Sequence, residues 1–439
     1  MGRKVFISFL GTNNYKECVY VSKSLGESSV VTYVQDAILQ IVSKNWSSND
    51  KAYIFLTQGA KEKHWNRLQD VLNEYQYPFE IEPVFPIHEG YSEDEIWSIF
   101  RKVYEKLDYR DEIFLDITHG FRSLPMLSMV LLEYAKTLKR ITVSKIFYGA
   151  FEALGEAYKI EQIYPNPIDR KTPLLELTAF SQLQEWAIAT SDFIEFGNAK
   201  KLIHTLKFSD FSSSNHSKSA RGNIKKVLTL FAQNLQALTG MYATNRGQEI
   251  IEAQVHQAIF DSLETLETYS RELPKLSPLT ELLEKIKFRV NGYQENDVRN
   301  GIIAAEWCLN SNLIQQGITL LQEFIITICL NQIEFDYQNR LYRVICSALL
   351  GKDNRTPYEF KSNDSDEVDR SLELSLIDKI EQLPYYDQIK EIYNDLGAQH
   401  RNDIQHAGFS HKTPKESSEF SKCLERNLKK IKAIDFSYL

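Results

Sequence analysis

The first 165 residues alternate short β-rich runs with amphipathic stretches, and this alternation limits the folds that are open to them. The strand-like runs are "KVFISFL" (4–10), "AYIFLT" (52–57), "FEIEPVF" (79–85), "EIFLDIT" (112–118) and "ITVSKIFYG" (141–149). The helical stretches between them are 34–45, 59–75, 92–107 and 122–139. Strands joined by crossover helices predict an α/β, Rossmann-like, doubly wound and mostly parallel sheet. We expect the last strand to return through "EALGE" as a hairpin with "AYKIEQIY" (157–164).

From about residue 170 the pattern changes to long apolar periodicities without strand punctuation, which predict an all-α remainder. The predicted helices contain "LQEWAIATSDFIEF", "KKVLTLFAQNLQALTGMY" and "EIIEAQVHQAIFDSLETLETYSREL", and continue at 280–290, 298–334, 337–350, 371–382, 385–399 and 402–408. The Ser-rich segment 207–223 and the acid-rich segment 353–370 are predicted to be surface loops. Boundaries near 165 and 285 predict three parts, 1–165, 166–285 and 286–439.

Charge and cysteine content exclude some classes of protein. A net charge of −8 argues against a chain that coats nucleic acid by bulk electrostatics, so any nucleic-acid contact needs a local basic cleft. Five widely spaced cysteines form no CxxC pair, which indicates neither a disulfide framework nor a zinc ribbon. No apolar stretch approaches the ~18 residues that span a bilayer, and the first residues do not resemble a signal peptide. We therefore expect a soluble cytoplasmic protein with no membrane partner.

Polar residues follow three of the predicted strands, at the sheet edge where open α/β folds bind ligands. The candidate ligand-binding residues are Gly11, Thr12, Asn13, Asn14 and Tyr15 after the first strand, Thr57 and Gln58 after the second, and Thr118, His119, Gly120, Arg122 and Ser123 after the fourth. A strand, a glycine turn and a helix N-terminus favour a phosphate-bearing ligand. In the alternative interpretation, Ser123 only caps a helix and Tyr15 only packs beneath its loop. Asn13 and Lys16 break the dinucleotide-binding fingerprint, which disfavours a Rossmann oxidoreductase.

The segment "QHRNDIQHAGF" (399–409) contains Arg401, Asn402 and His406. At 100° per residue, Asn402 and His406 share one helix face. Arg401 precedes Asn402 and is rotated from it by a further 100° around the helix axis. Such a trio suits RNA cleavage, in which a base takes the 2′-OH proton, a fixed cation holds the phosphate and an amide orients it. As a bare pattern, Arg-x4-His also occurs by chance. The flanking His400 and His411 have spacings that match no usual helical metal-ligand pair, so we expect no metal.

Together these motifs give the chain a resemblance to a known family. "FLGTNNY", "FLTQGAKEKHW" and "LDITHGFRSLP" resemble the sensor motifs of the CRISPR-associated CARF–HEPN ribonucleases, although "GTNN" lacks the second glycine that relatives often have near Asn13. "RNDIQHAG" resembles the nuclease motif of that family, and "EW…QQGITLLQEF" (306–324) resembles the HEPN helix that precedes it.

The resemblance implies a CARF sensor at 1–165, a helical connector at 166–285 and a HEPN nuclease at 286–439. It implies an allosteric activator, a cyclic oligoadenylate, with the tetra-adenylate favoured over the hexa-adenylate. It also implies a homodimer or larger assembly that cleaves single-stranded RNA without a metal or other cofactor and leaves 2′,3′-cyclic phosphate ends. The alternative is a cyclic-nucleotide sensor without catalysis, which recruits a partner protein.

Overall fold

The computed structural model describes residues 2–120, 123–208, 218–272, 277–351, 370–409 and 414–436. It contains two compact units, Met1–Gln184 and Glu185–Leu439. The first unit extends past the predicted boundary at 165, because a strand of its sheet lies beyond that point. The predicted boundary at 285 falls inside the second unit, so the division of the helical part into connector and nuclease stays a prediction. Most of both predicted surface loops lies outside the described residues.

A mixed sheet forms the centre of the first unit. Among the described residues its strands are β1 Lys4–Leu10, β2 Val19–Ser22, β3 Gly26–Glu27, β4 Lys51–Leu56, β5 Glu80–Val84, β6 Glu112–Asp116, β7 Thr142–Gly149 and β8 Lys171–Glu176. Their order is β3-β2-β8-β7-β6-β1-β4-β5. Strand β1 pairs in parallel with β4 and β6, β4 with β5, β6 with β7, and β2 with β8. The five predicted strands and the mostly parallel sheet are confirmed.

The predicted hairpin partner of β7 was wrong. The antiparallel neighbour of β7 is β8, with Gly149 opposite Leu174 and Phe147 opposite Glu176. Residues 157–164 instead contain a short helix, Ile160–Ile163, in which Ile160 is fully buried and Ile163 is exposed. Apolar residues three positions apart match a helical turn as well as an irregular strand, which is why the pattern misled. The short strands β2 and β3 were not predicted.

Helices cover both faces of the sheet. Those of the first unit are Val34–Val42, a helical segment at 58–74 with a π-helical turn at Lys61–Trp65, Glu93–Glu105 and Leu124–Lys139, all close to the predicted stretches. Along β1, Phe6 belongs to the core on one face, and Val5, Ile7 and Phe9 belong to the core on the other. This period of two is expected of a strand buried on both sides. The doubly wound arrangement is therefore confirmed.

The second unit is helical in its described residues. Its helices are Lys200–Phe208, Lys218–Ala243, Gly247–Glu252, Gln254–Glu272, Ser277–Arg289, Asn300–Asn310, Ile314–Gln332, Arg340–Leu350, Arg370–Glu381, Tyr386–Leu396, Asn402–Gln405 and Ser417–Lys432, and helix Thr178–Phe196 crosses the division between the units. The predicted helix 298–334 was wrong in one respect, because it breaks after Asn310, where Asn312 adopts a left-handed conformation with φ 57°. One buried apolar cluster extends from Trp186 to Ile434. Helix Ser417–Lys432 was not predicted.

Close packing of helices Asn300–Asn310 and Ile314–Gln332 depends on Gly301. A Cβ atom at this position would lie 1.9 Å from Cγ of Phe324, whose side chain is almost fully buried. Real Cβ atoms do not approach so closely, and a buried ring cannot move aside without disturbing its neighbours.

We expect Gly301→Ala to lower the free energy of unfolding by about 1–3 kcal/mol, because the steric conflict outweighs the better helix propensity of alanine. The measurement is urea denaturation. Gly240→Ala is the matched control, since Gly240 also lies in a helix but its added Cβ would meet nothing within 4 Å. That variant should gain about 0.5–1 kcal/mol. Equal stabilisation of both variants would contradict the packing described here.

Candidate functional site

The three candidate ligand-binding turns lie at one edge of the first unit. Strands β1, β4 and β6 are parallel neighbours, and Leu10 at the end of β1 is in register with Leu56 at the end of β4. Their carboxyl ends therefore meet at the same edge. The turns that begin at Gly11, Thr57 and Ile117 leave the sheet side by side, as the sequence predicts.

Tyr15 joins the first of these turns to the other two. Its ring lies 4.8 Å from the ring of His119 and 4.6 Å from that of His64, measured between centroids, and it also packs on Tyr33. A Cβ atom at Gly11 would lie 2.9 Å from the Tyr15 hydroxyl oxygen and 3.3 Å from Cβ of His119. Only a residue without a side chain allows this approach. The ring of Tyr15 thus packs against side chains of both other turns, and its contact with a ligand stays a prediction.

Residues of the second turn hold the loop at 12–14 through its backbone. The Lys63 Nζ donates to the carbonyl oxygen of Thr12 at 2.7 Å, and the His64 Nε2 lies 2.8 Å from that of Asn13. Thr57 caps the following helix by accepting a hydrogen bond from the Ala60 N–H at 3.3 Å. The contact made by Lys63 was not predicted, because a surface lysine carries no pattern that identifies its partner.

A buried carboxylate anchors the third turn. Asp116, fully buried at the end of β6, accepts hydrogen bonds from Ser8 Oγ at 2.6 Å, from Thr118 N–H at 2.9 Å and from Thr118 Oγ1 at 2.5 Å. The Gly149 N–H donates in turn to Thr118 Oγ1 at 2.8 Å, and Gln35 donates to Ser8 Oγ at 3.0 Å. Thr118 is therefore fixed by neighbours on two strands. Asp116 and Gln35 were not among the predicted site residues, since their local patterns are those of an ordinary strand and helix.

Three polar atoms at this edge lack a partner within the described part of the chain. They are the hydroxyl of Tyr15 and Nε2 of His119, both buried, and Oε1 of Gln35 in the network of Ser8 is the third. Burial, helped by the nearby His64, lowers the pKa of His119 to about 4, so its imidazole is neutral at neutral pH. Burial also raises the pKa of Tyr15. Buried polar atoms without partners are uncommon in folded proteins, so these atoms support this edge as a candidate site.

The remaining candidates have different surroundings. Asn14 is exposed, and Gln58 is an exposed residue that donates to Glu62. Gly120 has φ 137°, a conformation that favours glycine. The side chain of Ser123 makes no capping hydrogen bond to helix Leu124–Lys139. The alternative interpretation, in which Ser123 only caps this helix, is therefore not what the structure shows. Arg122 lies outside the described residues.

The second candidate site lies in the helical unit. A π-helical turn, Gly397–Arg401, leads directly into the short helix Asn402–Gln405. The His406 N–H donates to the Asn402 carbonyl oxygen at 3.1 Å, so these two residues are one turn apart, as their spacing predicts. Both are exposed, and Arg401 is partly buried. Single π-helical turns inside helices are frequent at functional sites.

Buried contacts hold this segment on both sides of Arg401. His400 Nδ1 lies 2.6 Å from the Asp395 carbonyl oxygen, and Asp403 accepts a hydrogen bond from the Lys415 N–H at 3.0 Å. Arg401 Nη1 donates to Gln322 Oε1 and to Glu323 Oε1, each at 2.9 Å. The carboxylate and amide partners were not among the predicted site residues, because they lie far from the motif in the chain.

One group of side chains near the motif has the chemistry of metal ligands. Asp395, His400 and Cys423 offer ligand atoms within 4.8 Å of one another. However, the Asp395 carboxylate already accepts hydrogen bonds from Arg426 and Asn427. Burial raises the pKa of the Cys423 thiol to about 12, whereas a metal binds the thiolate. The group is better explained as a hydrogen-bonded support for the motif.

The buried Asp116 gives a testable pH dependence. Burial raises its pKa above the ordinary 3.8, so the folded state holds this proton more tightly than the unfolded state does. The free energy of unfolding should therefore fall as the pH rises from the pKa of Asp116 in the unfolded state to its pKa in the folded state. The expected loss is about 1.4 kcal/mol for each pH unit in that interval. Asp116→Asn should remove this loss, measured by urea unfolding between about pH 4 and pH 8. The exposed Asp94→Asn is the control, and identical pH profiles for all three proteins would refute the expectation.

Comparison with known proteins identifies the first unit. A family model described as the CARF domain of CRISPR system endoribonuclease Csx1 matches residues 5–152. A CRISPR-associated protein of Methanocaldococcus jannaschii is 27% identical over 156 residues, which cover 32% of this chain and 23% of the relative. The residues matched by the family model, 5–152, contain all three candidate turns and the sheet edge from which they leave.

Among the described residues, none of the helices has both the length and the apolar character needed to cross a membrane. The five predicted strands, the parallel order of β6, β1 and β4 and the family match agree on the nature of the first unit. Residues 5–152 of the first unit are therefore a CARF domain, similar to the one described for CRISPR system endoribonuclease Csx1.

Proposed function

We propose that the chain is a cyclic-oligoadenylate-activated, metal-independent endoribonuclease that cleaves single-stranded RNA in type III CRISPR defence. The observation that carries the proposal is the presence, on one chain, of a CARF domain and of an exposed Asn402–His406 turn beside a partly buried arginine. The first element supplies a sensor for a phosphate-bearing ring. The second supplies the groups that RNA cleavage requires.

The candidate edge of the CARF domain suits a cyclic oligoadenylate. The loop at 12–14 turns its backbone carbonyls toward Lys63 and His64, and its exposed side chains are left for a ligand. The hydroxyl of Tyr15 and Nε2 of His119 add two buried polar atoms that an adenine or ribose could satisfy. We favour the tetra-adenylate as activator.

The chemistry in the helical unit follows from the residue types. His406 takes the proton of the 2′-OH, the 2′-oxygen attacks the phosphorus, and the 5′-oxygen leaves with a proton from the second histidine of a dimer. Arg401 neutralises the charge that develops on the phosphate, and Asn402 orients it. The products are a 2′,3′-cyclic phosphate and a 5′-hydroxyl. Because the nucleophile belongs to the RNA, no metal is needed.

A second copy of the chain is the partner that we propose for helix Leu124–Lys139. Four of its apolar residues recur every four positions and are exposed, with fractions from 48% to 72%: Met126, Val130, Tyr134 and Leu138. The helix begins directly after Ser123 of the third candidate turn. A symmetric ring bound at that turn would bring the same helix from a second copy against it, and an apolar stripe of this size marks such a contact.

His406→Ala should lower RNA cleavage by several orders of magnitude, because the base that takes the 2′-OH proton is lost. The assay uses labelled single-stranded RNA with cyclic tetra-adenylate or hexa-adenylate in EDTA. Binding of the activator should persist. Gln405→Ala, an exposed neighbour in the same turn, is the matched control and should cleave normally. Ligand binding without cleavage by the wild-type protein would favour the sensor that recruits a partner.

Val130→Glu should weaken dimerisation at least ~100-fold, because an unpaired carboxylate buried at an interface costs several kcal/mol. Sedimentation velocity measures the effect. Ile168→Glu is the matched control, since Ile168 is an aliphatic residue of similar exposure, 53% against 56% for Val130. The proposed contact is wrong if the two variants dimerise equally well.

A further inference from the structure

Two neighbouring side chains on helix Ile314–Gln332 contact the arginine of the nuclease motif. Gln322 Oε1 and Glu323 Oε1 both accept hydrogen bonds from Nη1 of Arg401, each at 2.9 Å. Along the chain, Gln322 is 79 residues from Arg401, and Glu323 is 78 residues from it. Two acceptors on one nitrogen fix the plane of a guanidinium as well as its position, because its N–H donors form a rigid fork.

Glu323 is itself held by a second arginine. Arg343 Nη2 donates to Glu323 Oε2 at 2.9 Å and to the Glu323 carbonyl oxygen at 3.1 Å. Arg343 Nη1 donates to Thr327 Oγ1 and to the Tyr337 carbonyl oxygen, both at 2.9 Å. Each carboxylate oxygen of Glu323 therefore has a different arginine. Arg343 is tied to backbone and side chain, so it acts as a fixed support behind the carboxylate.

Gln322 is placed by a close approach of the backbone. A Cβ atom at Gly397 would lie 2.3 Å from Nε2 of Gln322, so the absence of a side chain there makes room for the amide. Gly397 is the first residue of the π-helical turn that ends at Arg401. The π-helical turn therefore leaves room for the Gln322 amide at Gly397, its first residue. Arg401, its last residue, donates a hydrogen bond to the same amide.

The charges of this cluster do not cancel. Arg401 and Arg343 carry two positive charges and Glu323 carries one negative charge, which leaves a net charge of +1. Had Glu323 faced Arg401 alone, the pair would be neutral and would attract a phosphate weakly. Sharing the carboxylate with Arg343 keeps the cluster cationic while the fork stays oriented.

We propose that Glu323 and Gln322 are positioning residues that orient Arg401 toward the scissile phosphate, with Arg343 as the support of Glu323. This inference rests on the proposed ribonuclease function. The acceptors hold Nη1, Nε is buried without a hydrogen-bond partner among the described residues, and Nη2 is the donor that receives the phosphate. Neither Glu323 nor Gln322 contacts the reacting atoms, so their effect on cleavage passes through Arg401.

Glu323→Ala should lower kcat by about 10- to 100-fold and change KM for RNA by less than about threefold, because misorientation affects the transition state more than binding. Glu323→Gln should lower kcat less than Glu323→Ala does, because its single amide oxygen can accept from Arg401 while its NH2 group cannot accept from Arg343. Glu425→Ala, which removes a carboxylate from an exposed pair with Lys429, is the control and should be neutral.

The coupling between the two residues is tested in an Arg401→Lys background. Lysine has no fork to orient, so adding Glu323→Ala there should cost less than about threefold in kcat. A merely structural role for Glu323 would give the same loss in both backgrounds and would overturn the proposal.

A readout independent of cleavage separates this inference from the proposed function. Phenylglyoxal modifies accessible guanidinium groups, and mass spectrometry of peptides resolves Arg401 from Arg343. Modification of Arg401 should become at least about fivefold faster in Glu323→Ala and stay unchanged in Glu425→Ala, because its pairing restricts the reagent. Faster modification of Arg401 in a protein that cleaves no RNA would contradict the proposed ribonuclease function but support the positioning of Arg401 by Glu323. If Glu323→Ala changes neither the modification of Arg401 nor kcat in a protein that cleaves RNA, only the positioning role of Glu323 is contradicted.

Discussion

Parallel pairing of β1 with β4 on one side and β6 on the other determines where the candidate ligand residues of the CARF domain lie. Parallel neighbours end at the same edge, so three turns that are far apart in the chain leave the sheet together. Once they are adjacent, the ring of Tyr15 can touch both His64 and His119. The buried Asp116 then fixes the third turn from below. The contacts of Tyr15 with His64 and His119 depend on this sheet order, because they join turns that follow different strands.

The two candidate sites treat charge in opposite ways. At the CARF edge, burial keeps His119 neutral and raises the pKa of Tyr15, so these two groups offer hydrogen bonds, while the charged Lys63 donates to the Thr12 carbonyl oxygen. In the helical unit, a shared carboxylate leaves one net positive charge beside an exposed histidine. Neutral, directional groups suit discrimination among nucleotide rings. A fixed cation suits the stabilisation of charge on a phosphate during its transfer.

The sequence was sufficient for features that depend on neighbours along the chain. Strands buried on both faces and amphipathic helices have strong periods, so β1, β4, β6 and their crossover helices could be predicted closely. The one-turn relation of Asn402 and His406 followed from helix geometry alone. The hairpin partner of β7 was wrong, because the apolar residues around Ile160 fit a helical turn equally well. Glu323 could not be found, since nothing in a local pattern reveals a contact with Arg401 across 78 residues.

The π-helical turn at Gly397–Arg401 has a consequence for how this segment tolerates change. Such a turn accommodates one residue more than an α-helical turn does, and the excess sits between the buried Leu396 and the exposed Asn402. Loss of a single residue here would convert the segment to regular helix while the flanking core contacts kept their places. The guanidinium would then swing around the helix axis away from its two oxygen acceptors. The length of the segment is accordingly a requirement in its own right, in addition to the identities of Gly397 and Arg401.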